Sequence, residues 1–434
     1  MNLLSKTNQK VAILGRGVSG RAADKLLSAK GVSCDFYDKK NRIFTKVDAS
    51  SCSLVVQSPG FKPDHEWLKI AEDSGLEIVS EVDLGVSYSN HSQIVAITGT
   101  NGKTSLTSVL GHVFRKLKTP CFEAGNIGTP LSEAVADDLV EDKIVFHETS
   151  SFQAVSSKFF KPDFLLWTNF APDHLDYHCT EKEYFLAKLR LANNCKTPSQ
   201  VFIGTSVIKS AHKYGLDINP EFQIVVPLSP DALPQDIAFF YRSQPQLENL
   251  AFAICWSQLQ GISKQQFFDA LQGCEPFPHR LQKVNSIKDV CFWNDSKSTN
   301  LASTLAACKS FTKKITWIGG GKSKGQNVME FASSLSPYLQ TAFLIGETAK
   351  ELSFQLTKFG IKSEICQNLK TAVQKAYNST NKHGDIVFSP GFASFDMFSN
   401  YIDRGNSFES LVFDLKSAGQ VTTKRNVNHL QAIH

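Results

Sequence analysis

Hydrophobic residues along the chain fall into short β-rich runs that alternate with stretches of helical spacing. Lys10–Leu14, Ser33–Tyr37 and Ser53–Gln57 read as strands with helical periodicity between them, which predicts a small α/β unit. A polar stretch, Tyr88–Ser92, then precedes a new strand at Gln93–Thr98, and the alternation restarts. It continues with strands near Lys143–Glu148 and Asp163–Thr168 and a helix over Glu181–Asn193. Pro276 and Pro278 close this region, and beyond them Val290–Asn294, Lys314–Gly319, Ala342–Ile345 and Asp385–Phe388 read as strands of a third α/β unit. The expectation is an α/β chain of three domains, 1–92, 93–277 and 278–434, without a short-period repeat or a low-complexity segment.

Composition narrows the class. A chain of 434 residues exceeds one ordinary core, and 42% hydrophobic with 20% charged residues is a globular balance. Met1–Lys10 has no apolar core, and no later run approaches the ~18 apolar residues that span a bilayer, so a soluble, cytoplasmic protein without a membrane span is expected. The ten cysteines are scattered, with no CxxC pair, which gives neither a zinc site nor a disulfide frame. The net charge of +5 is dispersed, so nucleic acid is not an expected partner, whereas a small anionic substrate suits the excess.

Two glycine loops carry the chemistry. Gly15-Arg16-Gly17-Val18-Ser19-Gly20 follows the first strand, and Asp38 ends the next. Glycines there let a diphosphate approach a helix N-terminus while a carboxylate meets a ribose, although a plain tight turn reads the same way. Gly99-Thr100-Asn101-Gly102-Lys103-Thr104 lies between the strand Gln93–Thr98 and a helix beginning near Thr104. Its amides can surround phosphate oxygens, Lys103 can reach the transferred phosphoryl group and Thr104 can offer a hydroxyl to Mg²⁺. Ile97 occupies the place of the first glycine of the full Walker pattern. A phosphoryl-gripping lysine has no use in hydride transfer, so a nicotinamide oxidoreductase is the weaker alternative and a ligase that consumes ATP accounts for both loops.

At GTNGKT the sequence resembles the Mur ligase superfamily, and further matches follow in order: Gly125-Asn126-Ile127-Gly128, Glu148 through Gln153, Asp173-His174-Leu175-Asp176, His279-Arg280 and Asn294 through Asn300. Ser389 through Asp396, with Arg404-Gly405-Asn406 and Phe408, resembles the C-terminal signature of its D-glutamate-adding members. The resemblance implies an N-terminal Rossmann-like domain for a UDP substrate, a central P-loop ATPase with a mostly parallel sheet and a C-terminal Rossmann-like α/β domain that closes for catalysis. It also implies a monomeric enzyme of peptidoglycan precursor synthesis that joins D-glutamate to UDP-N-acetylmuramoyl-L-alanine through an acyl phosphate, leaving ADP and phosphate. A folylpolyglutamate synthetase is the rival within the superfamily, and the N-terminal glycine loop opposes it. Departures from the pattern are Thr149 for leucine, Gly391-Phe392 for Ala-Cys and Pro245-Gln246 for His-Asn.

Carried over residue by residue, the resemblance implies catalytic roles for Lys103, Glu148, His174, Lys188 and Asn126. ATP would meet Gly99, Thr100, Asn101, Gly102, Lys103, Thr104, Asn249, Arg280 and Asp295, with Asp295 on the ribose. The UDP substrate would meet Val18, Ser19, Asp38, Lys39, Asn126, Ser150 and His174. D-glutamate would meet Lys297, Thr299, Lys324, Ser394, Phe395 and Tyr401, where Lys322 competes with Lys324 and the retained Lys-Gly pair favours Lys324. Two Mg²⁺ ions would be held by Thr104, Glu148, His174 and Lys188, the last as a CO₂-derived carbamate. From its own surroundings in the sequence, Lys188 reads as an exposed helix lysine. His174 and His178 stand four apart as zinc ligands on a helix do, but without a glutamate in the HExxH order or a third ligand.

Overall fold

The computed structural model describes residues 10–89, 92–235, 237, 239–275 and 277–430, so Pro276 and most of the Met1–Lys10 segment lie outside the described residues. Two compact units emerge, Met1–Pro234 with Leu247–Cys274, and Gln235–Gln246 with Glu275–His434. Three sheets organise them.

The first sheet comprises β1 (Lys10–Leu14), β2 (Ser33–Tyr37), β3 (Leu54–Gln57) and β4 (Glu77–Ser80), in the order β2-β1-β3-β4 and wholly parallel. The second comprises β5 (Gln93–Thr98), β6 (Cys121–Gly125), β7 (Ile144–Glu148), β8 (Phe164–Trp167), β9 (Val201–Gly204) and β10 (Gln223–Val225), in the order β10-β9-β8-β5-β7-β6 and again parallel. Parallel strands need crossover connections that cover both faces, and β3, β8 and β9 are accordingly buried along their whole length. β10 differs: it is three residues long, and Ile224 on it is exposed.

In both sheets the chain leaves its first strand toward one side and later returns to the other. In sheets of this kind ligands bind beyond the C-terminal strand ends at such a reversal, and the two glycine loops sit there, after β1 and β5. Both sheets belong to the first unit. They are joined through the helix Glu81–Tyr88, which Ser80 caps with Asp83 completing a capping box. Asp83 also accepts hydrogen bonds from the backbone N–H groups of Lys158, Phe159 and Phe160 at 2.8–2.9 Å. Glu81 accepts one from the Ser132 N–H at 2.7 Å.

The second unit holds β11 (Gln282–Ile287), β12 (Val290–Asn294), β13 (Ile315–Gly320), β14 (Leu339–Ile345), β15 (Lys362–Ile365) and β16 (Asp385–Phe388), in the order β11-β12-β16-β13-β14-β15. Only the β11–β12 hairpin is antiparallel. Its core lies on both sheet faces, around Trp317, Phe331 and Leu344 on one and Ile318, Phe388 and Phe408 on the other. The expected α/β class with mostly parallel sheets is what the structure shows.

Candidate active site

The phosphate loop is built at the end of β5. Gly99 and Gly102 adopt positive φ of 147° and 87°, and Gly102 caps the helix Lys103–Lys116, which begins one residue earlier than the sequence suggests. A side chain on Gly102 would collide with Asn249, so the residue expected to face ATP lies directly against the loop. Lys103 Nζ folds back onto the carbonyls of Gly99 and Thr100 at 2.9 and 3.1 Å. A lysine so placed shares the loop's concavity with the amides that would receive phosphate. Thr104 is buried in the first turn of the same helix.

Around this loop β7 and β8 deliver acidic and polar groups. Glu148, 1% exposed at the end of β7, accepts a hydrogen bond from Asn126 Nδ2 at 3.1 Å through Oε1. Its Oε2 is buried without a hydrogen-bond partner. A buried carboxylate oxygen left open in this way is costly unless something positive meets it, so the residues fit a divalent cation. Asn126 N–H also donates to the Glu148 carbonyl at 2.8 Å, fixing the two together.

Lys188 corrects the expectation of an exposed helix lysine. It is 1% exposed, and Nζ donates to Thr98 Oγ1 at 3.0 Å and to the Gly99 carbonyl at 3.1 Å, beneath the phosphate loop. Burial, with nearby Lys103 adding repulsion, holds its ammonium well below the ordinary lysine range, against the pull of Asp173 and Glu148. The sequence did carry a signal. In the helix Glu181–Asn193, Tyr184, Phe185, Leu191 and Ala192 are buried, and Lys188 stands on that same apolar face.

His174 is not in a helix: it adopts a left-handed conformation, with φ 55°, ahead of the turn Leu175–His178. Its N–H donates to Asp173 Oδ1 at 2.9 Å, and its ring meets the edge of Phe152. His178 turns instead to Ser151 Oγ at 2.8 Å, so the pair does not share a helical face as zinc ligands would. Ser150 caps the helix Ser151–Ser156 in a box with Gln153. Tyr177 Oη donates to the Phe61 carbonyl at 2.9 Å, linking this corner to the loop after β3.

That loop abuts the first glycine motif. A side chain on Gly15 would meet Ser58 Oγ, itself buried without a partner, and one on Gly20 would collide with the Gly15 carbonyl, so helix and strand approach as the motif requires. Val18 is exposed and Ser19 half-buried at the start of the helix Val18–Ala29. Gly15 N–H donates to the Tyr37 carbonyl, bringing Asp38 and exposed Lys39 beside the motif. Ser58 was outside the sequence reading, and its place before Pro59-Gly60 at a strand end was the available hint.

Sequence reasoning also missed Asn169 and Glu248. Asn169 brackets the Asn101 peptide, and its Nδ2 reaches Glu248 Oε2 at 3.3 Å. Burial pushes the Glu248 carboxyl up to about 7, opposed by that hydrogen bond.

In the second unit, Asp295 is buried. Its Oδ1 accepts from the Leu281 N–H at 3.0 Å and Oδ2 from Ser389 Oγ at 2.6 Å, so both oxygens help to hold the unit's own loops. Burial pushes its carboxyl up to about 6 against these hydrogen bonds. Arg280 is half-buried beside the left-handed His279. Lys297 Nζ lies 3.7 Å over the Tyr401 ring. The Thr299 carbonyl accepts from Gln326, whose Oε1 accepts from the Lys324 N–H at 2.7 Å, and Lys322 pairs through its backbone with Ala393, next to buried Ser394. Phe395 is the exception, 69% exposed. Buried Arg404 ties these loops together, donating to the Ser296 and Phe392 carbonyls at 2.9 and 3.0 Å.

Known proteins match both units. The Mur ligase middle domain matches residues 97–222, and the Mur ligase glutamate ligase domain matches 279–391. A UDP-N-acetylmuramoylalanine–D-glutamate ligase of Caldanaerobacter subterraneus subsp. tengcongensis is 32% identical over 94% of this chain and 99% of its own length. One from Protochlamydia amoebophila is 30% identical over 93% and 98%. Among solved structures, a pseudomurein peptide ligase type C from Methanothermus fervidus shares the fold with a TM-score of 0.59, 16% identity and coverage of 94% of this chain and 100% of that one. The MurF ligase from Thermotoga maritima in complex with ADP does so at 0.55, with 16% identity over 85% and 91%. With relatives of this identity spanning nearly the whole chain, and a phosphate loop, acidic strand end and buried lysine gathered around the C-terminal ends of β5 and β7, the chain belongs to the Mur ligase family.

Proposed function

We propose that this chain is an ATP-dependent ligase of peptidoglycan precursor synthesis that joins D-glutamate to UDP-N-acetylmuramoyl-L-alanine, releasing ADP and phosphate. The observation that carries the reading is the meeting of Lys103, the open oxygen of Glu148 and buried Lys188 around one glycine loop. A carboxylate and an amine do not condense in neutral water, so the carboxylate oxygen must become a leaving group, and phosphorylation supplies that. Two anions must approach for the transfer. Lys103 furnishes positive charge at the loop, Asn126 holds the Glu148 carboxylate in place, and the loop's amides receive phosphate oxygens.

Thr104 and Glu148 would hold one Mg²⁺, and His174 with Lys188 a second, where the metal neutralises phosphate charge. In this reading Lys188 is carbamylated by CO₂. A neutral, buried amine is the form that attacks CO₂; the N–C bond forms as the nitrogen gives up a proton to solvent, and the carbamate would carry oxygen ligands. Val18, Ser19, Asp38, Lys39, Ser150 and His174 would line the UDP-substrate path. Arg280 and Asp295 would serve ATP, and Lys297, Thr299, Lys324, Ser394, Phe395 and Tyr401 would bind D-glutamate. The proposed domains are 1–92 for the UDP substrate, 93–277 for ATP and 278–434 for the amino acid. Among the described residues no helix is long and apolar enough to cross a membrane, and we place the protein in the cytoplasm as a monomer.

The test is phosphate release by the purified protein. It should require ATP, UDP-N-acetylmuramoyl-L-alanine and D-glutamate together, and L-glutamate should not substitute. Release that ignores the amine, or none with all three present, would refute the assignment.

A further inference from the structure

Asn101 sits in the phosphate loop between two glycines of positive φ, so the loop's own backbone does little to hold its peptide groups in place. Asn169, just beyond β8, supplies what the loop lacks. Its Oδ1 accepts from the Asn101 N–H at 2.9 Å, and its Nδ2 donates to the Asn101 carbonyl at 3.1 Å. Thr168 Oγ1 reaches the same carbonyl at 2.9 Å. The remaining Nδ2 hydrogen points at Glu248 Oε2, 3.3 Å away. A flipped amide would set its oxygen against the Asn101 carbonyl and the Glu248 carboxyl, so Glu248 selects the orientation that brackets Asn101. Glu248 precedes Asn249, whose side chain lies against Gly102, so one helix braces the loop at two points.

We propose that Asn169 and Glu248 are a positioning pair for the ligase reaction, fixing the Asn101 peptide so that the phosphate loop is set before nucleotide binds. The inference rests on the reading of this loop as the ATP site. Neither side chain needs to touch the nucleotide. The pair removes conformational freedom that binding would otherwise have to remove, which is how preorganisation raises affinity.

The test is binding of a fluorescent ATP analogue with Mg²⁺ to the full-length protein without acid or amine, followed by steady-state kinetics. Asn169→Asp keeps the acceptor for the Asn101 N–H but sets a carboxylate oxygen against the Asn101 carbonyl and Glu248. It should weaken nucleotide binding by at least about tenfold. Glu248→Gln alone should cost a smaller factor, about three. Placed in the Asn169→Asp background, Glu248→Gln offers an N–H to the new carboxylate, and the double variant should bind more tightly than Asn169→Asp by about threefold. KM for ATP should rise in both single variants while KM for the acid substrate stays within about twofold.

Circular dichroism identifies an Asn169→Asp protein that does not fold. Glu248→Leu, which removes the carboxylate and leaves Asn169 in place, then carries the test with an expected loss of about threefold or more. A folded Asn169→Asp with wild-type nucleotide affinity overturns the proposal, as does a double variant that binds more weakly than Asn169→Asp. A wild-type protein that binds no nucleotide overturns both the ATP reading and the pair. The expected order of affinities in a protein that fails to ligate D-glutamate upholds the pair and refutes only the substrate.

Discussion

Lys188 shows how much a single side chain's surroundings matter. Its Nζ is enclosed by Thr98, Gly99 and the Tyr184 ring, in a place where an ammonium is poorly tolerated. Lys188→Ala should lower kcat by about 100-fold or more, and short carboxylic acids such as formate should restore about tenfold by supplying the missing oxygens. Full activity without acid would dispose of the carbamate. The sequence displayed the residue types of this site but not their burial. The sequence places Glu148 at a strand end, and only the structure shows its second oxygen closed off from water. Asp295 likewise shows in the structure a part its motif did not announce, since its oxygens hold Leu281 and Ser389.

Among the elements, most strands with a clear apolar run were legible, because parallel pairing under covering helices favours such runs. β1, β2, β5, β12 and β16 fall where the hydrophobic pattern places them. β4, β6, β10, β11 and β15 escaped as edge strands with polar or exposed positions and little periodic signal, and β9 escaped although wholly buried, because four residues are too short a run to stand out. The joint between the first two sheets was illegible for another reason: it depends on one carboxylate meeting a distant turn. Asp83 takes the Ser80 N–H and hydroxyl together with three consecutive N–H groups at 158–160. Asp83→Ala leaves these buried donors unmet and should cost about 3 kcal/mol in denaturant unfolding. A loss below about 0.5 kcal/mol would mean that water replaces the carboxylate without penalty.

At the scale of the whole molecule, three buried carboxyls bias stability with pH. Burial raises Glu81 and Glu248 from 4.5 to about 7 and Asp295 from 3.8 to about 6. Between these values the folded chain holds protons that the unfolded chain has released. The favourable contribution is therefore complete below about pH 4 and is lost as pH rises to about 7. Glu81→Gln removes one such group, so its stability relative to wild type should improve from pH 5 to pH 8, by up to about 3 kcal/mol. A difference that does not vary with pH would show that Glu81 titrates normally. The three-sheet α/β pattern was readable because the alternation of strands and helices restarts after the polar stretch at 88–92 and again after the prolines at 276 and 278. The compact units were less so, because residues 235–246 join the second unit out of chain order.

The brevity of β10 has a consequence of its own. An open sheet margin is a template on which stray chains can add and grow into fibrils, and each added residue lengthens the row of unmet amides. Here that margin offers three residues, so despite the greasy Ile224 upon it, an invading strand finds too few rungs to climb.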